Sequence, residues 1–278
     1  MNPTMDLHIH QFAGRHVFVA GGSSGINFGI AQAFARAGAH LSIISRSADK
    51  VAAAVAALQA LGTEAFGMAA DVRQPEALQA AYTQAVARFG PIDVLISGAA
   101  GNFLARAAEM SPNAFKTVVD IDLLGSFNVV HAAYPHLRKP GASVVQISAG
   151  QSFIATPFQA HVCAAKAGVD MLTRVLALEW GAEGIRINSI VPGPIADTEG
   201  IRRLAPGEDA LKAMAERVPL KRMGSVDDVA RMALMLCSDW GGWITGAVIP
   251  VDGGLALTGP RDFSAAAAHA AAARSSKA

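Results

Sequence analysis

Cysteine is nearly absent from this chain: Cys163 and Cys237 are the only two in 278 residues. Two thiols without CxxC or Cys/His spacing exclude a disulfide framework and a zinc site, so no metal is expected and both are read as buried structural residues. Charge is also scarce, at 16% of residues, and balances to +1, with 23 Lys plus Arg against 22 Asp plus Glu. Without a basic excess, no nucleic-acid partner is expected. Long apolar runs are missing although 52% of residues are hydrophobic and the mean hydropathy is +0.33. Charged residues or glycine interrupt each stretch before about 18 residues accumulate, so no membrane span is expected. The opening MNPTMDLHIHQFAGRH lacks a basic region followed by an apolar run, which makes the cytoplasm the expected location.

What is present is a βαβ rhythm. HVFVA is followed by the helical INFGIAQAFARAG, and HLSIISR by ADKVAAAVAALQALG. The strand-like runs EAFGMAADV, IDVLIS, ASVVQIS, GIRINSIV and AVIPVDGG continue it, separated by expected helices over 75–89, 112–137, 158–180 and after Ser225. Apolar strands separated by crossover helices predict an α/β fold, a Rossmann-type doubly wound parallel sheet with helices on both faces. Ser111 before Pro112 and Ser225 three before Asp228 read as helix N-caps, while Gly38 and Gly62 read as helix ends. One domain is expected over 1–259, including a polar insertion at 197–222. The Ala-rich tail 260–278 is expected to be mobile or to dock on a neighbouring subunit.

The first strand runs into Gly21, Gly22, Ser23, Ser24 and Gly25, with Ile26 opening the helix. Such a turn brings backbone N–H groups and a helix dipole to a pyrophosphate. Two residues after Gly25 stands Asn27, where the dinucleotide fingerprint expects glycine. The second strand ends at Ser45 and Arg46 in place of the acidic residue that accepts bonds from ribose hydroxyls. An arginine suits a 2′-phosphate, so NADPH (NADP+) is the expected cofactor; a solvated arginine is the alternative.

From about 14 to 257 the chain resembles the short-chain dehydrogenase/reductase family. The resemblance rests on the Gly-rich turn, Asp71-Val72, SGAAG at 97–101, Lys166, PGPI at 192–195 and the final VDGG. It implies about seven strands and a homotetramer with contacts through helices 112–137 and 158–180. Asp71 and Val72 would hold the adenine, Ala99, Ala100 and Gly101 would line the cofactor, and Lys166 would bind the nicotinamide ribose. Pro192, Gly193 and Ile195 would flank the nicotinamide, and Thr198 would reach a phosphate.

The family's usual Asn-Ser-Tyr-Lys set is incomplete. Four residues before Lys166 stands Val162 where a tyrosine is usual, the serine position is Ala149, and the asparagine position is Asp122. AAGNFL, DIDLLGSFNV, QAHVCAAKAGVDMLTRVLALEWG and PGPIADTEGIRRL resemble the 2,4-dienoyl-CoA reductases of the peroxisomal type, which share these departures. That branch implies an acyl-CoA substrate. It also implies NADPH-dependent reduction of 2,4-dienoyl-CoA to 3-enoyl-CoA in unsaturated fatty acid degradation. Lys166 and Asp122 would then be catalytic, acting on a dienolate and a water; alternatively Lys166 only anchors the cofactor and Asp122 only bonds backbone groups. Asn102, Phe103, Ser148 and His161 form the expected substrate-binding set, Gln159 lies nearby, and Arg202 and Arg203 are candidate CoA contacts. A reductase of 2-enoyl or 3-ketoacyl thioesters and a non-catalytic NADPH-binding scaffold remain rivals.

Overall fold

Runs of Val, Ile and Phe become seven strands: β1 (His16–Ala20), β2 (His40–Ser45), β3 (Ala65–Ala69), β4 (Val94–Ser97), β5 (Ser143–Ile147), β6 (Arg186–Pro192) and β7 (Val248–Val251). A computed structural model describes residues 12–204 and 207–258, without the side chains of 202–204. All strand pairs are parallel, in the order β3-β2-β1-β4-β5-β6-β7. The order reverses between β1 and β4, so their carboxyl ends open a crevice suited to a ligand.

The two-residue period of each strand divides the core. Val17, Val19, Ile43 and Ile96 pack on one face with α1 (Gly25–Arg36), α2 (Ala48–Gln59) and α9 (Val226–Cys237). Phe18, Leu95, Val144 and Ile187 pack on the other with α3 (Pro75–Phe89), α5 (Gly125–Ala133) and α6 (Ala160–Trp180). The Ser111 side chain accepts from the Ala114 N–H at 3.1 Å, at the start of α4 (Pro112–Val119), and Ser225 and Asp228 form the expected capping box. Gly38 and Gly62 follow helix ends with φ of +89° and +86°.

Three expectations are corrected. The helix read over 112–137 is four pieces: α4, a π-turn (Asp120–Leu124), α5 and a 3-10 turn (Tyr134–His136). The helix read from 158 begins at Ala160, because Phe158 adopts φ +66° and turns the chain. Cys237 is buried, but Cys163, on the first turn of α6, is only half-buried. The polar insertion carries α7 (Glu199–Leu204) and α8 (Glu208–Arg217). The tail 260–278 and the side chains of Arg202 and Arg203 lie outside the described residues.

Candidate active site

The Gly-rich turn is open where an anion would sit. Gly25, at φ +58°, has no atom beyond its chain neighbours and its own helix backbone within 4 Å of where a Cβ would be, whereas a Cβ on Gly21 would lie 3.0 Å from the Ala99 nitrogen. The first turn of α1 holds no acidic residue and Ser24 makes no capping bond, leaving the helix N-terminus to an outside acceptor. Ser23 Oγ donates to Ser45 Oγ at 2.7 Å and so ties the turn to β2, while Ile26 packs against the core. Asn27 fills the space that glycine would leave: its Nδ2 donates to the Gly98 carbonyl at 2.7 Å. The missing side chain is at the other end of the contact, since a Cβ on Gly98 would lie 2.3 Å from Asn27 Oδ1.

Arg46 is exposed at the end of β2. Asp71 pairs with Arg73 at 2.6 Å, and that guanidinium, with a smaller contribution from Arg46, holds the Asp71 carboxyl below its ordinary range. Arg73 had no part in the sequence reading, although its place two residues after Asp71 is a local signal. Val72 is buried against Gly125, where a Cβ would lie 2.6 Å from Val72 Cγ2. The residues of the β4 turn, Ala99, Ala100 and Gly101, are at least partly exposed. Pro192 ends β6, and Gly193 runs so close to β7 that a Cβ would meet Asp252 Cα at 2.6 Å. Ile195 is buried in the core beside Gly224, and Thr198 Oγ1 donates to the Ile195 carbonyl at 2.9 Å. The PGPI turn is thus tied to β7 and to Gly224, with the Thr198 hydroxyl held locally.

Asp122 and Lys166 meet at the centre. Asp122 lies on the π-turn, a local widening of the helix that recurs at functional sites. Its Oδ1 accepts the Gly101 N–H at 2.7 Å and its Oδ2 stands 3.5 Å from Lys166 Nζ. The two residues are only 1% and 5% exposed. Burial pushes the Asp122 carboxyl above its ordinary pKa, opposed by Lys166 and by the Gly101 N–H. Lys166 Nζ also donates to the Ile147 carbonyl at 3.1 Å. Val162 is buried at the position of the missing tyrosine.

The loop after β4 is fastened to this centre at three successive residues. Gly101 bonds Asp122, Asn102 Oδ1 accepts from Gln159 Nε2 at 2.9 Å, and the Phe103 ring lies 4.3 Å from that of His161. Asn102 and Phe103 are therefore brought beside the charged pair, as is His161, one residue before Val162 on α6. Both His161 ring nitrogens are buried without a hydrogen-bond partner, as is Ser148 Oγ. Desolvation lowers the His161 pKa, opposed by the Asp122 charge. Orphaned polar atoms of this kind mark where a water or ligand binds. Phe103, Leu104, Phe153 and Phe158 leave apolar surface exposed beside the cleft. The open turn therefore suits a dinucleotide, and the exposed apolar side chains beside it suit an apolar ligand.

The model of the family described as enoyl-(acyl carrier protein) reductase matches residues 20–256. The chain is 43% identical to the peroxisomal 2,4-dienoyl-CoA reductase [(3E)-enoyl-CoA-producing] of Arabidopsis thaliana over 89% of this chain and 86% of that one. It is 45% identical to the enzyme of the same name from Pongo abelii, over 88% of this chain and 85% of that one. A short chain dehydrogenase from Bacillus anthracis superposes with a TM-score of 0.81 at 33% identity, covering 90% of this chain and 98% of that one. With its parallel sheet and open Gly-rich turn, the chain belongs to the short-chain dehydrogenase/reductase family of nicotinamide-dependent oxidoreductases.

Proposed function

We propose that this oxidoreductase reduces 2,4-dienoyl-CoA thioesters with NADPH, giving 3-enoyl-CoA in the degradation of unsaturated fatty acids. The observation that carries this reading is the buried Asp122–Lys166 pair in a site whose tyrosine position is Val162. A ketone needs a hydroxyl acid at the carbonyl oxygen as hydride arrives, and the position of the family's tyrosine acid is filled by Val162. A conjugated thioester does not: its charge moves to the thioester oxygen as a dienolate, which is protonated later on carbon.

A bound nicotinamide would supply the hydride. Lys166 then serves twice, holding the nicotinamide ribose and placing a positive charge that favours the dienolate. Asp122 holds the water that becomes the acid, with Lys166 fixing the carboxylate. Asn102 donates to the thioester oxygen, Phe103 covers the acyl chain, and Ser148 and His161 offer their unpartnered atoms to substrate or water. On the cofactor side, Gly21, Ser23, Ser24, Gly25 and Ile26 receive the pyrophosphate, with Ser45 and Arg46 at the 2′-phosphate. Asp71 and Val72 take the adenine, the 99–101 turn and Pro192, Gly193 and Ile195 border the nicotinamide, and Thr198 reaches a phosphate. The absence of an acid at the end of β2 supports NADPH over NADH.

We read the protein as a single domain over 1–259 that works as a homotetramer. Leu124, Phe127, Met171 and Val175 leave an exposed apolar face along α5 and α6 and the π-turn between α4 and α5, which supports subunit contact there. Light scattering on Met171→Glu tests this. No helix among the described residues is long and apolar enough to cross a membrane. The cytoplasmic location expected from the sequence competes with the peroxisomal one named for the Arabidopsis thaliana and Pongo abelii relatives. Fractionation of the source cells decides between them.

The deciding assay follows NADPH absorbance with a 2,4-dienoyl-CoA beside a 2-enoyl-CoA, a 3-ketoacyl-CoA and a blank. Rapid oxidation with the dienoyl thioester alone is expected. Turnover of the ketoacyl substrate alone overturns the reading, and NADPH binding without any turnover favours a scaffold.

A further inference from the structure

Gln159 is 1% exposed, and both ends of its carboxamide are engaged. Gln151 Nε2 donates to Gln159 Oε1 at 2.6 Å, and Gln159 Nε2 donates to Asn102 Oδ1 at 2.9 Å. The three amides form a directed relay from the 3-10 turn after β5 (Gly150–Ser152), across the N-cap of α6, to the loop after β4. A carboxamide has one acceptor end and one donor end, so occupying one end decides what the other presents. Here the relay takes the oxygen of Asn102, and no acceptor among the described residues holds its Nδ2.

We infer that Gln159 is a positioning residue that turns the Asn102 carboxamide donor-first toward the thioester oxygen of the substrate. This rests on the reading of a dienoyl thioester held at Asn102. A freely flipping Asn102 would present its oxygen to the thioester oxygen in part of the population, where the two acceptors repel. Gln159 removes that orientation before substrate arrives, so the donor costs no reorganisation when charge reaches the oxygen. Gly101 and Phe103 pin the loop on either side, on Asp122 and on His161, so rotation of the amide is the freedom left for Gln159 to restrict.

The test compares Gln159→Leu, Gln159→Glu, Asn102→Ala and the double variant Asn102→Ala/Gln159→Leu. The readouts are kcat and KM with a 2,4-dienoyl-CoA, NADPH Kd by fluorescence, and thermal melting. Gln159→Leu is expected to lower kcat and kcat/KM together by about tenfold, the worth of one oriented neutral hydrogen bond, with NADPH Kd unchanged. Asn102→Ala is expected to cost about a hundredfold, and adding Gln159→Leu to it nothing more. Gln159→Glu keeps the shape and the acceptor but loses the donor, so Asn102 must reverse and the loss must equal or exceed that of leucine. If leucine prevents folding, this isosteric variant decides alone. Independent, multiplying losses from Asn102→Ala and Gln159→Leu overturn the inference, as does a Gln159→Glu enzyme with wild-type kcat/KM. A wild-type enzyme that turns over the dienoyl thioester while Asn102→Ala leaves the rate intact sinks the inference by removing Asn102 from substrate binding, and leaves the reaction itself standing.

Discussion

Asp122→Asn separates the charge of the central pair from its shape. Asparagine can still accept the Gly101 N–H through Oδ1, so the loop after β4 keeps its anchor. What is lost is the partner of Lys166, which at 5% exposure is left with the Ile147 carbonyl alone. At 3.5 Å, two unit charges in an effective dielectric of about 20 attract by about 5 kcal/mol. Part of that offsets desolvation, and breaking a buried pair from one side costs about 3–5 kcal/mol. Asp122→Asn is therefore expected to lose about 3 kcal/mol in urea unfolding at fixed protein concentration. Lys166→Met should lose less at low pH, because the Asp122 carboxyl, already raised by burial, can take up a proton. The sign follows from linkage: a carboxyl whose folded pKa exceeds its unfolded one binds more protons when folded, so this variant gains stability as pH falls toward that unfolded value. The double variant Asp122→Asn/Lys166→Met has no buried charge and should recover to within about 1 kcal/mol of wild type, while all three lose NADPH turnover with the dienoyl thioester. Stability losses that simply add in the double variant would refute the coupling.

The buried His16 ring bonds the Gly90 carbonyl and Ser42 Oγ, each at 2.8 Å, and burial pushes its pKa down to about 4. The folded state therefore stays neutral where the unfolded chain protonates, so stability is full above about pH 6.5 and falls by about 3 kcal/mol as pH drops toward 4. Melting of wild type and His16→Gln across that window checks this, and parallel slopes contradict it. Arg46→Asp should lower the NADPH-to-NADH affinity ratio by about ten- to a hundredfold, the worth of a charged hydrogen bond; an unchanged ratio removes Arg46 from the 2′-phosphate. Gly98→Ala puts a Cβ 2.3 Å from Asn27 Oδ1, and overpacking of that order should weaken NADPH binding about tenfold, measured by fluorescence titration. Asn27→Gly added to Gly98→Ala should recover affinity; if it does not, the two positions are not a packing pair.

Much of the fold was legible because its signals are local. The helix read over about 75–89 is α3, and Ser225 with Asp228 announced its capping box three positions apart. The π-turn at 120–124 was not legible: one extra residue in a helical turn changes neither composition nor apolar period enough to show. The turn at Phe158 was hidden for another reason, since a bulky side chain at positive φ runs against its own preference and is held there by surroundings. The charged pair was legible through the family pattern at Lys166 and the aspartate that replaces asparagine. Gln159 was visible only as a neighbour of the missing tyrosine, because its partner Asn102 lies 57 positions away and amide pairs leave no spacing signature.

The segment around the π-turn joins Val72 to the Asp122–Lys166 pair. Asp122 stands on the turn itself, Gly125 lets α5 close on Val72, and Asn128 Nδ2 donates to the Val72 carbonyl at 3.0 Å. The widened turn sends the Gly125 N–H back to the Asp120 carbonyl, and Ser126 Oγ donates to the Asp122 carbonyl at 2.6 Å. One stretch of nine residues from Asp120 to Asn128 therefore holds both the Val72 segment, assigned to the adenine, and the carboxylate facing Lys166. A shift of α5 that loosens Val72 is expected to shift Asp122 against Gly101 and Lys166 as well. On the proposed assignment of Val72 to the adenine, its seating and the Asp122–Lys166 pair share one segment, and a disturbance at Val72 is expected to reach that pair as well as the cofactor's affinity.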